Sequence, residues 1–385
     1  MTSMYTMRKG GAYDRFIMMM EAFLERGAEV HCLSLAPIRI GHPSFHNHKV
    51  PLPFEIRSLL FARLMVLFLF PWLTLLIAWR KKIDLFVAFG SGYAFILTLP
   101  KLITRRPVVT FIRGDSTFAF RAQGLKRPFL WVNQWIEYIG LRFSDRILTV
   151  NQDMGKKIAK MMRRRKNIDV RILFNNIPVI HKPLTEDILQ LRESYGIPTD
   201  GKVLITAGIL NRGKNIEVLL RSLSKSGIGN LFLVVVGDGF TEKDVSYRNT
   251  LKELAEELNV DRRVLFTGWL EKEQLWRLFS AADLFVLPSL SEGMPNVMLE
   301  ALGCDLPCMG SNIPGIRDIL KYDELMFDPL NDRSLTEKLM RYFSDLQSLD
   351  TVKRLCQERK NFFTFDWKER VFETITSTPG LTRES

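Results

Sequence analysis

Two glutamates, Glu292 and Glu300, stand eight positions apart in residues 288–301, PSLSEGMPNVMLEA. Glu292 falls in a loop after a predicted strand, and Pro295 suits the first position of a helix because its missing N–H would be unpaired there. The free N–H groups at such a helix start attract phosphate. Carboxylates beside that site can accept hydrogen bonds from sugar hydroxyls, although an isolated pair of glutamates is also common on protein surfaces.

Two further segments carry glycines and positive charge directly after predicted strands. Residues 203–215, VLITAGILNRGKN, end in a loop with Arg212 and Lys214, and residues 234–239, VVVGDG, end in two glycines around an aspartate. Fixed positive charges stabilise a diphosphate leaving group as its negative charge develops. No Asp-x-Asp pair stands at a strand end, so the sequence predicts no metal ion for this site.

The segment 288–301 resembles the Glu-x₇-Glu motif of the retaining glycosyltransferases of family 4, and residues 203–215 resemble the family's phosphate loop. Lys214 matches the family lysine, whereas Ile209 stands where the family has an arginine, whose charge Arg212 could supply. The resemblance implies Glu292, Lys214 and Arg212 as catalytic residues, with Glu292 toward the donor sugar and Glu300 toward the ribose. It also implies a set of donor-binding residues: Gly10, Gly11, Gly208, Gly239, Gly293, Met294, Pro295, Asn296 and Glu300.

The first half of the chain is less similar to this family. Arg113 replaces the histidine that usually ends one family strand, so Arg113 and Asp115 are expected only as additional contacts from the first domain. No general base is evident: Asp14 and Asp115 are candidates, each with a structural role as the alternative. The resemblance implies a hexosyltransferase that retains the anomeric configuration, needs no metal or other cofactor, and uses a nucleotide sugar, UDP-sugar rather than GDP-sugar, as its donor substrate.

Strands and helices alternate along the whole chain, which predicts an α/β protein with parallel sheets. We expect two Rossmann-like domains facing across a cleft, the GT-B fold. The expected boundaries are an N-terminal acceptor-side domain over residues 1–182, a nucleotide-sugar domain over 183–365, and a helix over 366–385 that returns to the first domain. The last expectation rests on Phe363–Trp367, similar to the family's aromatic segment before its final helix.

The chain has 385 residues and a net charge of +12, and the surplus lies in its first half. Residues 1–180 hold 28 basic and 11 acidic side chains. The apolar run 59–79, followed by Arg80, Lys81 and Lys82, is long enough for a bilayer span, which needs about 20 residues. Pro71 at its centre should break or kink a helix. A buried helix pair and a helix lying in the membrane surface therefore remain as alternatives to a span, and the charge favours the surface helix.

Histidine and cysteine give weaker signals. His42, His46 and His48 lie close together, where a metal site is conceivable but a solvated loop is favoured because no further ligand is marked. The four cysteines lack zinc spacing, which is typical of free thiols in a reducing compartment. The first residues have no signal-peptide core, so we expect a cytoplasmic protein, peripheral to the inner membrane.

These features favour a glycosyltransferase that acts on a lipid-linked or cell-envelope saccharide acceptor, as in polysaccharide or lipopolysaccharide biosynthesis, with an anionic membrane surface as partner. A soluble GT-B enzyme with a small-molecule acceptor is one alternative. A basic nucleic-acid-binding protein is another, but no nucleic-acid partner is expected because the sequence has no recognition motif.

Overall fold

The computed structural model describes residues 2–3, 11–34, 38–49, 59–114, 127–163, 168–180, 186–239 and 242–381. The chain divides into two compact units, of which the first comprises Met1–Phe174 and Asp366–Ser385 and the second Asn175–Phe365. The division after Phe174 comes eight residues before the expected boundary at 182. Two hydrogen bonds hold residues after this division to the second unit. The side chain of Asn175 donates to the carbonyl of Met294, and the backbone N–H of Ile177 donates to the carbonyl of Phe363.

The first unit is built on a seven-stranded parallel sheet with the order β3-β2-β1-β4-β5-β6-β7. Its strands are β1 Thr2–Ser3, β2 Val30–Ser34, β3 Phe45–Lys49, β4 Phe86–Phe89, β5 Val108–Ile112, β6 Arg146–Thr149 and β7 Asp169–Ile172. The central strands β4, β5 and β6 are buried along their whole length, as expected for a parallel sheet covered on both faces.

Helices follow most of these strands in the first unit. They are α1 Gly11–Leu24, α2 Leu59–Lys81, α3 Ser91–Ala94, α4 Thr98–Thr104, α5 Arg127–Arg142 and α6 Gln152–Met161. Phe16, Met19 and Met20 of α1 are fully buried. The apolar periodicity of the sequence predicts a helix that begins at Phe16. Helix α1 begins five residues earlier, since its first turn carries glycine and polar residues that hide this periodicity.

The apolar run forms one helix rather than a broken pair. Helix α2 continues through Pro71, so of the predicted break or kink the break does not occur, and Pro71 itself is buried. Val66 and Phe70 pack there against Leu33 and Ile96, so core packing on one side of the helix compensates the backbone hydrogen bond that proline removes. Within the described residues, none of the helices combines the length and the hydropathy that a membrane crossing requires.

The segment predicted as a solvated histidine loop is partly a strand. Strand β3 contains His46 and His48 and pairs in parallel with β2, with His31 opposite His46. The loop prediction was wrong because FHNHK has little apolar alternation, and an edge strand can form through backbone pairing alone.

The second unit contains a six-stranded parallel sheet with the order β10-β9-β8-β11-β12-β13. Its strands are β8 Lys202–Ala207, β9 Leu231–Val236, β10 Val264–Gly268, β11 Leu284–Leu287, β12 Cys308–Ser311 and β13 Met326–Phe327. Its helices are α7 Glu186–Ser194, α8 Glu217–Lys225, α9 Glu242–Glu257, α10 Lys272–Ser280, α11 Asn296–Gly303, α12 Ile316–Leu320, α13 Asp332–Ser344 and α14 Leu346–Phe363. The chain order reverses at β8 and β11, and parallel sheets bind ligands at the carboxyl ends of strands at such a reversal.

The last helix, α15 Trp367–Thr376, is part of the first unit. The indole of Trp367 is 1% exposed, and the guanidinium of Arg15 lies 5.1 Å from its ring centroid. Buried Arg146 donates hydrogen bonds to Thr374 and Ser377 at the end of the helix and pairs with Asp169 on β7. The helix is therefore fixed at both ends by buried contacts of the first unit.

Candidate active site

The loop between β11 and α11 brings a glutamate to a lysine that is 78 positions away in sequence. The ammonium nitrogen Nζ of Lys214 lies 2.5 Å from Oε1 of Glu292. The hydroxyl of Ser289 donates a hydrogen bond to the same oxygen at 2.8 Å. Both partners of the ion pair are largely buried, with side-chain exposures of 20% and 14%. Neighbouring strands β8 and β11 explain the contact, since each residue lies in the loop that follows its strand.

The loop after β8 is built so that Lys214 can reach this position. Gly208 adopts a positive φ of +152°, and a Cβ there would lie 3.4 Å from Cε of Lys214. Residues Arg212–Lys214 form a single turn of 3₁₀ helix, and the side chain of Asn211 caps that turn by accepting from the N–H of Gly213. The carbonyl of Gly213 accepts from the N–H of Leu290 at 2.8 Å. This hydrogen bond joins the lysine loop to the glutamate loop.

A third loop, after β9, packs against the first. Gly237 has a φ of +119°, and a Cβ there would lie 2.0 Å from the carbonyl oxygen of Gly208. The carboxylate of Asp238 accepts from the N–H of Gly239 at 2.7 Å and pairs with Arg248 at 2.5 Å. Three loops at the carboxyl ends of three adjacent strands therefore form one site in the second unit.

Helix α11 begins at this site. Pro295 is its N-cap in extended conformation, so the helix proper begins at Asn296, one residue later than predicted. The buried side chain of Asn175 donates to the carbonyl of Met294 and to Oδ1 of Asn296, which holds the turn before the helix. A Cβ at Gly315 would lie 2.3 Å from the carbonyl oxygen of Gly293, so the backbone approaches this turn at a position that only glycine fits.

The two remaining charged residues of the site differ in environment. Glu300 lies in the second turn of α11 and is half-buried, and Arg212 is exposed at the start of the 3₁₀ turn. Behind the loop, the hydroxyl of Tyr247 donates to Glu217 at 2.5 Å, and burial, more than that carboxylate, raises the pKa of Tyr247. Sequence reasoning missed Ser289 and Asn175 as supporting residues. Ser289 lies three residues before Glu292, and that short spacing was the available signal.

Arg113, predicted as an additional contact, and Asp14, a candidate general base, lie in the first unit. Nη1 of Arg113, directly after β5, donates to the carbonyl of Gly11 at 3.4 Å, and its guanidinium lies 5.6 Å from the ring centroid of Phe89. Asp14 occupies the first turn of α1. Gly10 and Asp115 lie outside the described residues.

Two family descriptions match consecutive parts of the chain. "Glycosyl transferase 4-like domain" matches residues 10–171, and "Glycosyl transferases group 1" matches residues 187–359, which contain the whole Lys214–Glu292 site. The chain belongs to the group 1 glycosyltransferases. The predicted family and the predicted fold class, two parallel-sheet domains of the GT-B type, are both confirmed.

The names of two relatives of this group 1 glycosyltransferase give different acceptors. An N-acetyl-α-D-glucosaminyl L-malate synthase of Bacillus anthracis is 25% identical over 78% of this chain and 75% of its own length. A UDP-Gal:α-D-GlcNAc-diphosphoundecaprenol α-1,3-galactosyltransferase of Escherichia coli is 28% identical over 63% of this chain. The match spans 62% of that enzyme, less than two thirds of its length.

Solved structures agree in fold over nearly the entire chain. The Anabaena HepE protein in complex with UDP and glucose superposes with a TM-score of 0.77, at 18% sequence identity, over 98% of each chain. At this identity the similarity establishes the fold.

Proposed function

We propose that this group 1 glycosyltransferase moves a sugar, with retention of anomeric configuration, from a nucleotide-sugar donor to a lipid-linked or other envelope saccharide at the cytoplasmic face of the membrane. The observation that carries the proposal is the Lys214–Glu292 pair, held by two joined loops at the strand reversal of the second unit. We propose UDP-sugar as the donor class. UDP is the nucleotide bound in the HepE structure, and a UDP-sugar donor is named for the Escherichia coli relative.

The site would recognise the donor by charge and by carboxylate hydrogen bonds. The ammonium of Lys214 and the guanidinium of Arg212 would face the diphosphate, together with the N–H groups at the start of α11. Glu292 would accept from hydroxyls of the donor sugar and Glu300 from those of the ribose. Because Lys214 and Glu292 already neutralise each other, the fully formed pair keeps both side chains in position before the donor arrives.

The chemistry would need no metal and no separate general base. The acceptor hydroxyl oxygen forms a bond to the anomeric carbon on the same face from which the diphosphate oxygen leaves. The bond between the anomeric carbon and that diphosphate oxygen breaks, and the departing oxygen takes the acceptor proton. Lys214 and Arg212 would stabilise the charge that develops on the diphosphate.

The membrane part of the proposal rests on two helices of the first unit. Along α2, Phe68, Trp72, Leu76 and Trp79 are exposed at spacings of four, four and three residues, which places them on one face of the helix. The helix ends in the exposed residues Arg80 and Lys81.

Helix α4, which packs against α2, repeats this arrangement. It exposes Leu102 and Ile103, and exposed Arg105 and Arg106 follow it. Tryptophan at the level of the headgroups and basic residues on anionic phosphates are the contacts of a peripheral membrane helix.

A donor panel tests the activity. The full chain is incubated with UDP-, GDP- and ADP-sugars, and release of the nucleoside diphosphate is measured with and without EDTA. We expect release from a UDP-sugar that EDTA leaves unchanged. Release only from a GDP- or ADP-sugar would contradict the donor assignment, and loss of release in EDTA would contradict the metal-independent mechanism.

A further inference from the structure

A cluster of one glutamate and two histidines lies at the edge of the sheet in the first unit. Oε1 of Glu29 lies 3.1 Å from Nε2 of His31 and 2.9 Å from Nε2 of His46. The parallel register of β2 and β3 produces this arrangement, since His31 and His46 are directly opposite and their rings stack with centroids 4.8 Å apart. The three ligand atoms all lie within 4.8 Å of one another.

These separations suit a shared metal ion. Zinc bonds to imidazole nitrogen and carboxylate oxygen at about 2.0–2.2 Å in tetrahedral geometry, which places neighbouring ligand atoms about 3.3–3.6 Å apart. The contacts of 2.9 and 3.1 Å from Glu29 need to lengthen by a few tenths of an ångström. The nitrogens of His31 and His46, which lie within 4.8 Å of each other, need to reach the same separation. Two histidines and one glutamate form a donor set that zinc sites use when a fourth position stays open for water.

His48 supplies the outer contact that metal-binding histidines usually have. Nδ1 of His31 lies 2.9 Å from Nε2 of His48, and a hydrogen bond donated from Nδ1 would leave the lone pair of His31 on Nε2, facing Glu29. Ligand histidines are commonly oriented by such a bond from their second nitrogen. The side chain of His31 is 5% exposed, whereas those of His46 and Glu29 are 39% and 53% exposed, so the cluster is anchored on one side and open on the other.

A cavity of about 470 Å³ reaches part of this cluster from within the unit. Glu29, His31 and His48 contribute to its lining, beside Lys81 and the buried Thr74. The hydroxyl of Thr74 has no hydrogen-bond partner among the described residues. Water or a small ligand in this cavity therefore lies beside Glu29 and His31, two of the three residues of the cluster.

We propose that Glu29, His31 and His46 bind one divalent transition-metal ion, of the class that prefers imidazole, with His48 as the orienting residue. Zinc and cobalt fit this donor set, whereas magnesium and calcium prefer sites built of oxygen ligands. The ion would join β2 to the edge strand β3 and so stabilise the edge of the sheet. This site is independent of the proposed sugar transfer, which needs no metal.

Thiols do not compete for the ion. All four cysteines are buried, and a buried neutral thiol is a poor ligand compared with a partly exposed imidazole. The test uses the full chain without an affinity tag, stripped of metal, and titrated with Zn²⁺ by calorimetry and with Co²⁺ by visible absorption. We expect one ion per chain, a tetrahedral Co²⁺ spectrum and a higher melting temperature with Zn²⁺.

Four variants locate the site. His46→Ala and Glu29→Gln should each lose the specific binding, and His48→Ala should weaken it about 10- to 100-fold. His42→Ala is the matched control, because His42 belongs to the turn before β3, where its Nδ1 accepts from the N–H of Ser44. Circular dichroism checks that each variant is folded. Absence of binding by the folded wild type, or equal binding by His46→Ala and Glu29→Gln, would overturn the proposal and leave a purely hydrogen-bonded cluster.

Discussion

At the scale of single residues, the loops of the proposed active site depend on glycines as much as on charges. Lys214 and Glu292 meet because the loops after β8 and β11 are joined by the Leu290 to Gly213 hydrogen bond. The loop after β8 is in turn packed on Gly237 with no room for a side chain. The charge pair therefore rests on backbone approaches that a Cβ would prevent.

Replacing Gly237 with alanine should destabilise the second unit. The new Cβ would lie 2.0 Å from the carbonyl oxygen of Gly208, and the φ of +119° disfavours any side chain. We expect a cost of about 2 kcal/mol, in the range of a strained backbone position. In a unit of this size, that corresponds to a fall in melting temperature of about 4–8 °C.

Gly229→Ala provides the control for this measurement. A Cβ at Gly229 meets nothing within 4 Å, so its effect should stay within about 0.5 kcal/mol. Equal melting temperatures for the two variants would show that the loops after β8 and β9 do not pack as described.

At the scale of elements, the second unit and the central strands could be predicted closely from sequence. The β-branched run after Pro107 predicts a strand over residues 108–112, and β5 has these bounds because such a run leaves few alternatives. The Glu292 loop and the start of α11 were placed within one residue by Pro295. In contrast, the contact between Lys214 and Glu292 depends on strand order, which no local pattern contains.

The two wrong predictions share a physical cause. The continuity of α2 through Pro71 and the pairing of β3 are decided by neighbours, Leu33 and Ile96 in one case and the backbone of β2 in the other. Local propensity opposes proline in a helix and gives little support to FHNHK as a strand, and tertiary contacts override both.

The exposed face of α2 should bind anionic membranes. In flotation with vesicles of phosphatidylglycerol and phosphatidylethanolamine, we expect the wild type to bind at low salt and to dissociate at high salt, because Arg80 and Lys81 are exposed to screening. The double variant Trp72→Ser/Trp79→Ser should lose most of this binding, since it removes the two exposed indoles of the face.

The control is Trp269→Ser, which removes an exposed tryptophan from the second unit. It should bind the vesicles as the wild type does. Undiminished binding by the Trp72/Trp79 variant would exclude α2 as the membrane surface.

At the scale of the whole molecule, the two halves of the sequence differ in charge. Residues 1–180 carry an excess of 17 positive charges, whereas the rest of the chain carries an excess of five negative charges. The positive surplus thus lies in the part of the chain that holds α2 and α4, and the proposed donor site lies in the net-acidic part. This separation fits one unit that faces an anionic surface and another that binds the soluble donor.

The four thiols should be unreactive in the folded chain. Burial raises the pKa of Cys32 and of Cys356 to about 11, and it also raises the pKa of Cys308. At pH 8, below these values, Cys32, Cys308 and Cys356 stay protonated, and the thiolate is the reactive form. Cys304 is protected by its burial. We expect Ellman's reagent to label none of the four quickly in buffer and all four in denaturant. Rapid labelling of any thiol in buffer would contradict the packing of its unit.

The central claim is that the Lys214–Glu292 site transfers the sugar, and the most direct test compares two lysine variants. Lys214→Ala removes the charge proposed to face the diphosphate, whereas Lys225→Ala removes an exposed lysine at the end of α8 that pairs with Asp332. With the donor found in the panel, we expect the turnover of Lys214→Ala to fall by about 100- to 1,000-fold. Its melting temperature should also fall, because Glu292 loses its ion-pair partner, so turnover is compared at a temperature at which circular dichroism shows both variants to be folded. Lys225→Ala should keep its turnover. Normal turnover by a folded Lys214→Ala variant would contradict the assignment of this site.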